Sequence, residues 1–249
     1  MKKIKILVAI GATFFGSIAM SQCNLSNLDV WTSFNNSASM LDVTAGAAMG
    51  GACGLKVTVS NQVGGQSIKH FVQDSSPAGE LRYRAAFCID PNSVNFIDAS
   101  ANRRLKVHMA QCSGGSAVGC SNTDVVQFKL ENPTESPTGY QFRMYVRDLG
   151  TNNTRNTHTI PIGDEPTRVE YDINLSNNTF KVWINATAET DTPVVDLDAA
   201  DGLDLSGWSK IDRIRLGTMD KSTNVTAGDT FYIDNFESRR QTFIGGTCL

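Results

Sequence analysis

The chain has 249 residues, 41 % of them hydrophobic, with 22 basic and 25 acidic side chains and a formal net charge of −3. A length of this order suits one β domain, because sandwiches and barrels of this size are commonly single units. An acidic chain with no basic block is a poor partner for nucleic acid, whose binding rests on phosphate neutralisation by Lys and Arg.

In chain order the first predicted element is a secretory signal over residues 1–21. Met1-Lys2-Lys3-Ile4-Lys5 precedes an apolar run over 6–20 that only Gly, Thr and Ser interrupt. The basic start, the short apolar stretch and the small residues Ala19 and Ser21 are the parts of such a signal, with cleavage expected before Gln22. The run is shorter than the ~20 apolar residues a membrane span needs. Gln22, where a lipoprotein site wants a small residue, argues against lipidation of Cys23. Residues 22–249 then form the mature chain, with 19 basic against 25 acidic residues, since the removed segment holds three lysines and no acid. No later stretch is apolar and long enough to cross a bilayer, so no membrane insertion is expected after signal removal. The expected location is secreted, extracellular or periplasmic.

Beyond the signal the dominant pattern is alternation of apolar and polar residues with period two, which marks strands with one buried face. It predicts strands over 55–59, 68–73, 81–87, 105–110, 125–130, 140–147, 168–175, 180–185, 211–216 and 230–237. Tyr140, Phe142, Met144 and Val146 face one way, while Gln141, Arg143, Tyr145 and Arg147 face the other. Phe180 and Val182 oppose Lys181 and Trp183. Turn-rich stretches at 61–66, 90–95, 176–178 and 199–207 separate the strands, and Ser176-Asn177-Asn178 marks a hairpin. Regularly spaced strands without intervening helices predict an all-β, two-sheet antiparallel β-sandwich in one domain, 22–249.

All six cysteines lie in the mature part, and an even count in an exported chain reads as a disulfide framework. Cys112 and Cys120 bracket the flexible Ser-Gly-Gly-Ser-Ala-Val-Gly, and closing so short a loop stabilises by ~2–3 kcal/mol in the chain-entropy model. The other four allow three pairings. Cys23–Cys248 with Cys53–Cys88 is preferred, on the expectation that the terminal strands lie side by side. A zinc site lacks close Cys-x-x-Cys or paired-His spacing.

Several stretches carry a resemblance. Gly50-Gly51-Ala52-Cys53-Gly54-Leu55-Lys56-Val57-Thr58-Val59 resembles the opening strand of bacterial concanavalin A-like (lectin/glucanase) jelly rolls. So does 80–90, Glu80-Leu81-Arg82-Tyr83-Arg84-Ala85-Ala86-Phe87-Cys88-Ile89-Asp90. Residues 213–217 and 230–240 are similar to the final two strands of such domains. The resemblance implies a jelly roll and speaks to fold more than to activity, because one fold hosts many functions.

No catalytic set stands out, and the reading leans away from an enzyme. The Glu-x-Asp-x-x-Glu run that glucanases of this fold class carry on one strand is missing; such paired carboxylates supply acid and nucleophile. Glu189-Thr190-Asp191 falls in an expected loop. There is no Gly-x-Ser-x-Gly elbow. His70 alternates with Ile68 and Val72 and is expected in the core. His108 follows Lys106 by two and is expected on a polar, solvated face, and His158 in a loop at 152–159. Trp31 and Trp208 are expected to pack.

Calcium is the one cofactor indicated. Asp196, Asp198, Asp201 and Asp204 cluster around Gly202, and hard oxygen ligands suit Ca²⁺. Asp234 is a further candidate, since jelly-roll modules resembling this chain place a calcium ligand near that position. For ligand binding, Arg143, Tyr145, Lys181 and Trp183 project from strands whose other faces are apolar. An aromatic beside cationic donors is what a sugar site requires, here one favouring acidic sugars. The primary expectation is a secreted, non-catalytic module that binds carbohydrate or another extracellular surface. A polysaccharide hydrolase or lyase using Glu80, Arg82, His108 or Tyr145 is the alternative, and requires those groups to converge. A structural or adhesive surface protein is a third.

Overall fold

The computed structural model describes residues 23–36, 39–59, 69–96, 104–114, 120, 123–133, 139–149, 155–219, 225–239 and 241–248. The segment expected as a signal, 1–21, the expected turn at 61–66, Ile68 and residues 152–154 lie outside them. Among the described residues, strands β1 (Ser33–Asn35), β2 (Leu41–Thr44), β3 (Gly54–Thr58), β4 (His70–Asp74), β5 (Arg82–Asp90), β6 (Arg104–Cys112) and β7 (Thr123–Glu131) make up the first half of the chain. They are followed by β8 (Gln141–Arg147), β9 (Arg155–Pro161), β10 (Thr167–Asn174), β11 (Thr179–Ile184), β12 (Val195–Leu197), β13 (Arg213–Thr218) and β14 (Thr230–Arg239). A front sheet runs β1-β4-β13-β6-β7-β8-β9, and a back sheet runs β12-β11-β10-β5-β14-β3-β2. Every pairing is antiparallel. Among the described residues, helical structure is confined to short 3-10 turns such as Leu25–Val30. The molecule is the two-sheet sandwich that the alternation predicts.

The alternating apolar residues close on one another between the sheets. Phe128 and Phe142 of the front sheet and Tyr83, Phe87, Tyr171, Phe180, Val182 and Phe231 of the back sheet are fully buried. Phe128 meets Phe87 and Phe142 edge-on, at ring separations of 6.0 and 5.7 Å, the arrangement the ring quadrupoles favour. The hairpin expected at 176–178 joins β10 to β11, with Asn174 opposite Thr179 and Asn178 in the left-handed region at φ 53°. Two of the three glycines of 50–54 have a steric cause. A Cβ on Gly54 would run into the Ala47 carbonyl, and one on Gly50, at φ 133°, would press on the Asn235 amide.

Two histidines depart from expectation. A register shift between Lys106 and His108, where β6 meets β7, reverses the facing of the strand. An extra residue in a ladder does this because side chains alternate with period two. His108 therefore lies in the core rather than on a polar face, and its Nε2 is 3.0 Å from the Tyr171 hydroxyl across the two sheets. Burial holds its pKa down to about 3, so the ring is neutral. His158 lies on β9, paired with Met144, and not in a loop. His70 is buried, as expected.

The disulfides are Cys23–Cys53, Cys88–Cys248 and Cys112–Cys120. The short loop is closed as predicted, while Cys23–Cys248 and Cys53–Cys88 are corrected. The terminal strands do not lie side by side: β1 is at the edge of the front sheet and β14 is inside the back sheet, between β5 and β3. The carboxyl-terminal tail folds back over the outer face of the back sheet and reaches Cys88 on β5. Disulfides persist in oxidising compartments, which places the folded chain outside the cytoplasm. No helix among the described residues is long and apolar enough to cross a membrane.

Candidate functional site

The front sheet turns a polar face outward, and the register of its strands decides which side chains meet there. Across the sheet, Gln73, Arg215, Met109, Gln127, Tyr145 and Thr157 form one row. A neighbouring row runs Lys106, Lys129, Arg143, Thr159. Further rows hold Arg104, Glu131 and Gln141 on one side and Arg213, Gln111 and Asp124 on the other, with Arg147 opposite Arg155 at the far edge. This one face thus carries Arg104, Lys106, Lys129, Arg143, Arg147, Arg155, Arg213 and Arg215 against the carboxylates Asp124 and Glu131. In a chain with more acids than bases, that is a strong segregation of charge.

The two carboxylates act as organisers. Asp124 accepts from Gln111 Nε2 (2.7 Å) and Gln127 Nε2 (2.9 Å) and pairs with Lys106 at 3.3 Å. Glu131 pairs with Arg104 at 2.6 Å and accepts from Gln141 Nε2. Arg143, Arg147, Arg155 and Arg215 have no carboxylate partner among the described residues. The Arg215 guanidinium rests on the Phe71 ring and donates to Gln73 Oε1. Burial, and then Arg213 beside it, bring its pKa down to about 10. Crowded, half-buried cations of this kind gain most from an incoming anion.

At one place the face becomes a pocket of about 200 Å³, lined by Arg104, Lys129, Arg143, Tyr145, Arg155 and Thr157. Arg155 lies over the Tyr145 ring with its central carbon 4.8 Å from the centroid. The ring face is thereby covered by a guanidinium, so Tyr145 supports a cation and does not offer a bare stacking platform. Burial, together with the Asp124 charge, raises the Tyr145 hydroxyl above its usual pKa, against the opposing pull of Arg155, Lys106 and Arg147. The hydroxyl therefore stays protonated, a donor.

The four expected ligand residues do not converge. Arg143 and Tyr145 lie on β8 of the front sheet, while Lys181 and Trp183 lie on β11 of the back sheet. Lys181 pairs with Asp196 at 3.0 Å. Trp183 is 2 % exposed, donates through its indole to the Asp191 carbonyl, and packs with Arg84 and Phe243 beneath the tail. Alternation correctly turned these side chains away from the core, but it says nothing of which sheet a strand joins. Lys129, Arg104 and Arg155 were missed for the same reason: adjacency across strands is a property of topology. The residues of the enzyme alternative are scattered as well. Glu80 bridges Ile211, Arg82 pairs with Asp172 outside the back sheet, His108 is in the core, and only Tyr145 reaches the front face. Glu189 is taken by Arg84.

The carboxylates considered for calcium do not gather at one point. Asp198 and Asp201 cap a 3-10 turn reciprocally. Asp204 binds Ser206, and Asp234 accepts from the backbone of Met49 and Asn235. Three strands separate β12, with Asp196, from β14, with Asp234, about 19 Å at the usual strand spacing. Among the described residues no three His, Cys, Asp or Glu side chains gather where they could hold a metal ion.

No protein-family model matches the chain, and no curated protein does. Solved structures do resemble it. The alginate lyase from Klebsiella pneumoniae shares 9 % identity at a TM-score of 0.53, over 81 % of this chain and 84 % of that one. A mutant of alginate lyase Aly36B in complex with alginate tetrasaccharide shares 11 % at 0.51, over 87 % and 88 %. The catalytic domain of the glycoside hydrolase family 131 protein from Coprinopsis cinerea shares 13 % at 0.50, over 90 % and 92 %. At such identities the likeness is one of fold: the chain is a two-sheet jelly-roll sandwich, as they are.

Proposed function

We propose that the protein is a secreted, non-catalytic module that binds an anionic glycan across the outer face of its front sheet, and that residues 1–21 are its secretory signal. The observation that carries this reading is the pocket in which Arg104, Lys129, Arg143 and Arg155 converge on one cavity in an acidic chain. Guanidinium forks match carboxylate and sulfate oxygens in geometry and charge. Thr157 and the protonated Tyr145 add hydroxyl groups for the sugar. Two of the structural neighbours are alginate lyases, and alginate is itself a polyuronate, which agrees with this choice of ligand.

Isothermal titration calorimetry with galacturonate and mannuronate hexamers, a sulfated hexamer and a neutral cello-hexamer tests it. Each arginine contributes charge-assisted hydrogen bonds, so Arg143→Ala or Arg155→Ala is expected to weaken binding of the acidic sugar about tenfold or more. Raising the salt concentration should weaken it too. Equal affinity for the neutral hexamer, or acidic-sugar binding untouched by both variants, sinks the reading. The carboxylated and sulfated arms tell which anion the pocket takes.

A lyase reading has one specific support, the Tyr145 hydroxyl in the same pocket as the cations. It would need that oxygen as a phenolate to take the C5 proton of a uronate, the C4–C5 double bond forming as the C4–O bond breaks, and then to return the proton to the departing O4. The upward shift of the Tyr145 pKa works against that role. Appearance of ultraviolet-absorbing unsaturated products on incubation with the uronate hexamers would establish it over the binding reading.

A further inference from the structure

A second cavity, of about 690 Å³, opens at the end of the sandwich where the turn Leu25–Val30, the start of β3, the end of β4 and the middle of β14 meet. Its size lies within the range of small-ligand sites. The Trp31 and Phe236 rings form an apolar wall, 5.0 Å apart and tilted by 37°. Asp74, Ser76 and Asn235 supply polar groups from separate strands and loops, Asn235 with its Nδ2 donating to the Met49 carbonyl at 2.8 Å and its Oδ1 left as the acceptor. Val30, on the rim, is 86 % exposed. β14 breaks its register between Asp234 and Glu237, and Asn235 sits in the left-handed region at φ 49°. That bulge turns the Asn235–Phe236 pair into the cavity instead of continuing the ladder.

The chemistry of this wall is opposite to that of the front sheet. Among the described residues no Lys or Arg lines it, so nothing there would hold an anionic sugar. Neither is it built for a bare cation. Asp234 is committed through both oxygens, to Met49 N at 2.7 Å and Asn235 N at 2.7 Å, and Asp74 Oδ1 accepts from Ser76 N at 2.8 Å. An aromatic wall facing hydroxyl, amide and carboxylate groups suits a ring with an apolar C–H face and a hydroxyl edge. We propose that this cavity is a second glycan site, selective for an uncharged hexose unit and independent of the cationic face.

The test uses the tryptophans. Trp183 and Trp208 are buried at 2 % and 3 % exposure, whereas Trp31 lines the cavity. Titration of the processed protein with cello-, manno- and laminari-hexamers, with a chitosan hexamer as cationic probe and a galacturonate hexamer alongside, is followed by tryptophan fluorescence and calorimetry. At least one neutral hexamer is expected to change the Trp31 emission, with binding insensitive to added salt. Trp31→Ala should weaken that binding about tenfold, the scale of a lost aromatic anchor. Ser76→Arg, at an exposed position, should block it without disturbing the core. The site is overturned by any of three results: no neutral hexamer binds, only the chitosan or galacturonate hexamer changes Trp31 emission, or neutral binding survives both variants. The galacturonate calorimetry reports on the front sheet by itself, so failure of one site is told from failure of the other.

Discussion

At His108 one shifted position decides whether an imidazole meets solvent or the aromatic core. Two residues after Lys106 on an uninterrupted strand it would face outward. The register shift turns it inward, among Phe87, Phe128 and Tyr171. Strand parity is legible from sequence, whereas a bulge that reverses it leaves no compositional trace. The consequence is measurable. The folded pKa of about 3 lies below the usual 6.5, so the unfolded chain takes up a proton on acidification before the folded chain does. His108 therefore lowers stability as the pH falls from about 6.5 towards 3, by up to about 1.4 kcal/mol per pH unit. His108→Phe should remove that part of the slope, at the cost of a buried Tyr171 hydroxyl without its partner, about 1–3 kcal/mol. Urea unfolding of both proteins at pH 7 and pH 4.5 decides: the wild type should lose more on acidification than the variant. Equal losses would mean that the imidazole is already solvated in the fold.

Among the elements, the strands with strong alternation were all legible, while β1, β2, β9 and β12 were not. β1, β2 and β12 have three or four residues, too short for a period to show. β9 at the sheet edge has exposed and half-buried residues alternating, with Arg, Asn, Thr and His in place of apolar side chains, so it reads as a loop. With β9 unread, the place of Arg155 in the pocket, over the Tyr145 ring, was hidden too. The carboxyl-terminal tail was hidden for a different reason. It packs by long-range contacts: Glu170 accepts from the backbone of Ile244 and Gly245 at 2.8 and 2.9 Å, Phe243 meets Trp183, and Cys248 closes on Cys88. Arg84, between Trp183 and Phe243, pairs with Asp172 and Glu189 beneath it. The tail covers the outer side of the back sheet around Arg84, Cys88, Glu170 and Trp183, which are all buried. Replacing Cys88 and Cys248 together by Ala should cost about 2–5 kcal/mol, as for native disulfides closing long loops. It should also make residues 241–248 sensitive to limited proteolysis. An unchanged unfolding midpoint would show that Glu170 and the aromatic contacts hold the tail unaided.

For the whole molecule the decisive feature is how unevenly charge is distributed. The chain is acidic overall, which in the sequence argued against nucleic acid as a partner, yet one sheet face gathers eight cations around two carboxylates. Net charge averages over a surface and hides such a patch. Arg143 and Tyr145 could be singled out from alternation because they share a strand. The pocket could not, because it is assembled from β6, β7, β8 and β9. Polyanion binding on that face is the claim on which the functional reading rests. Hydrogen–deuterium exchange of the processed protein with and without a saturating uronate hexamer tests it most directly. Protection confined to β7, β8, β9 and the facing part of β6 is the expected result. Protection over the back sheet and tail, or none at all, would contradict it.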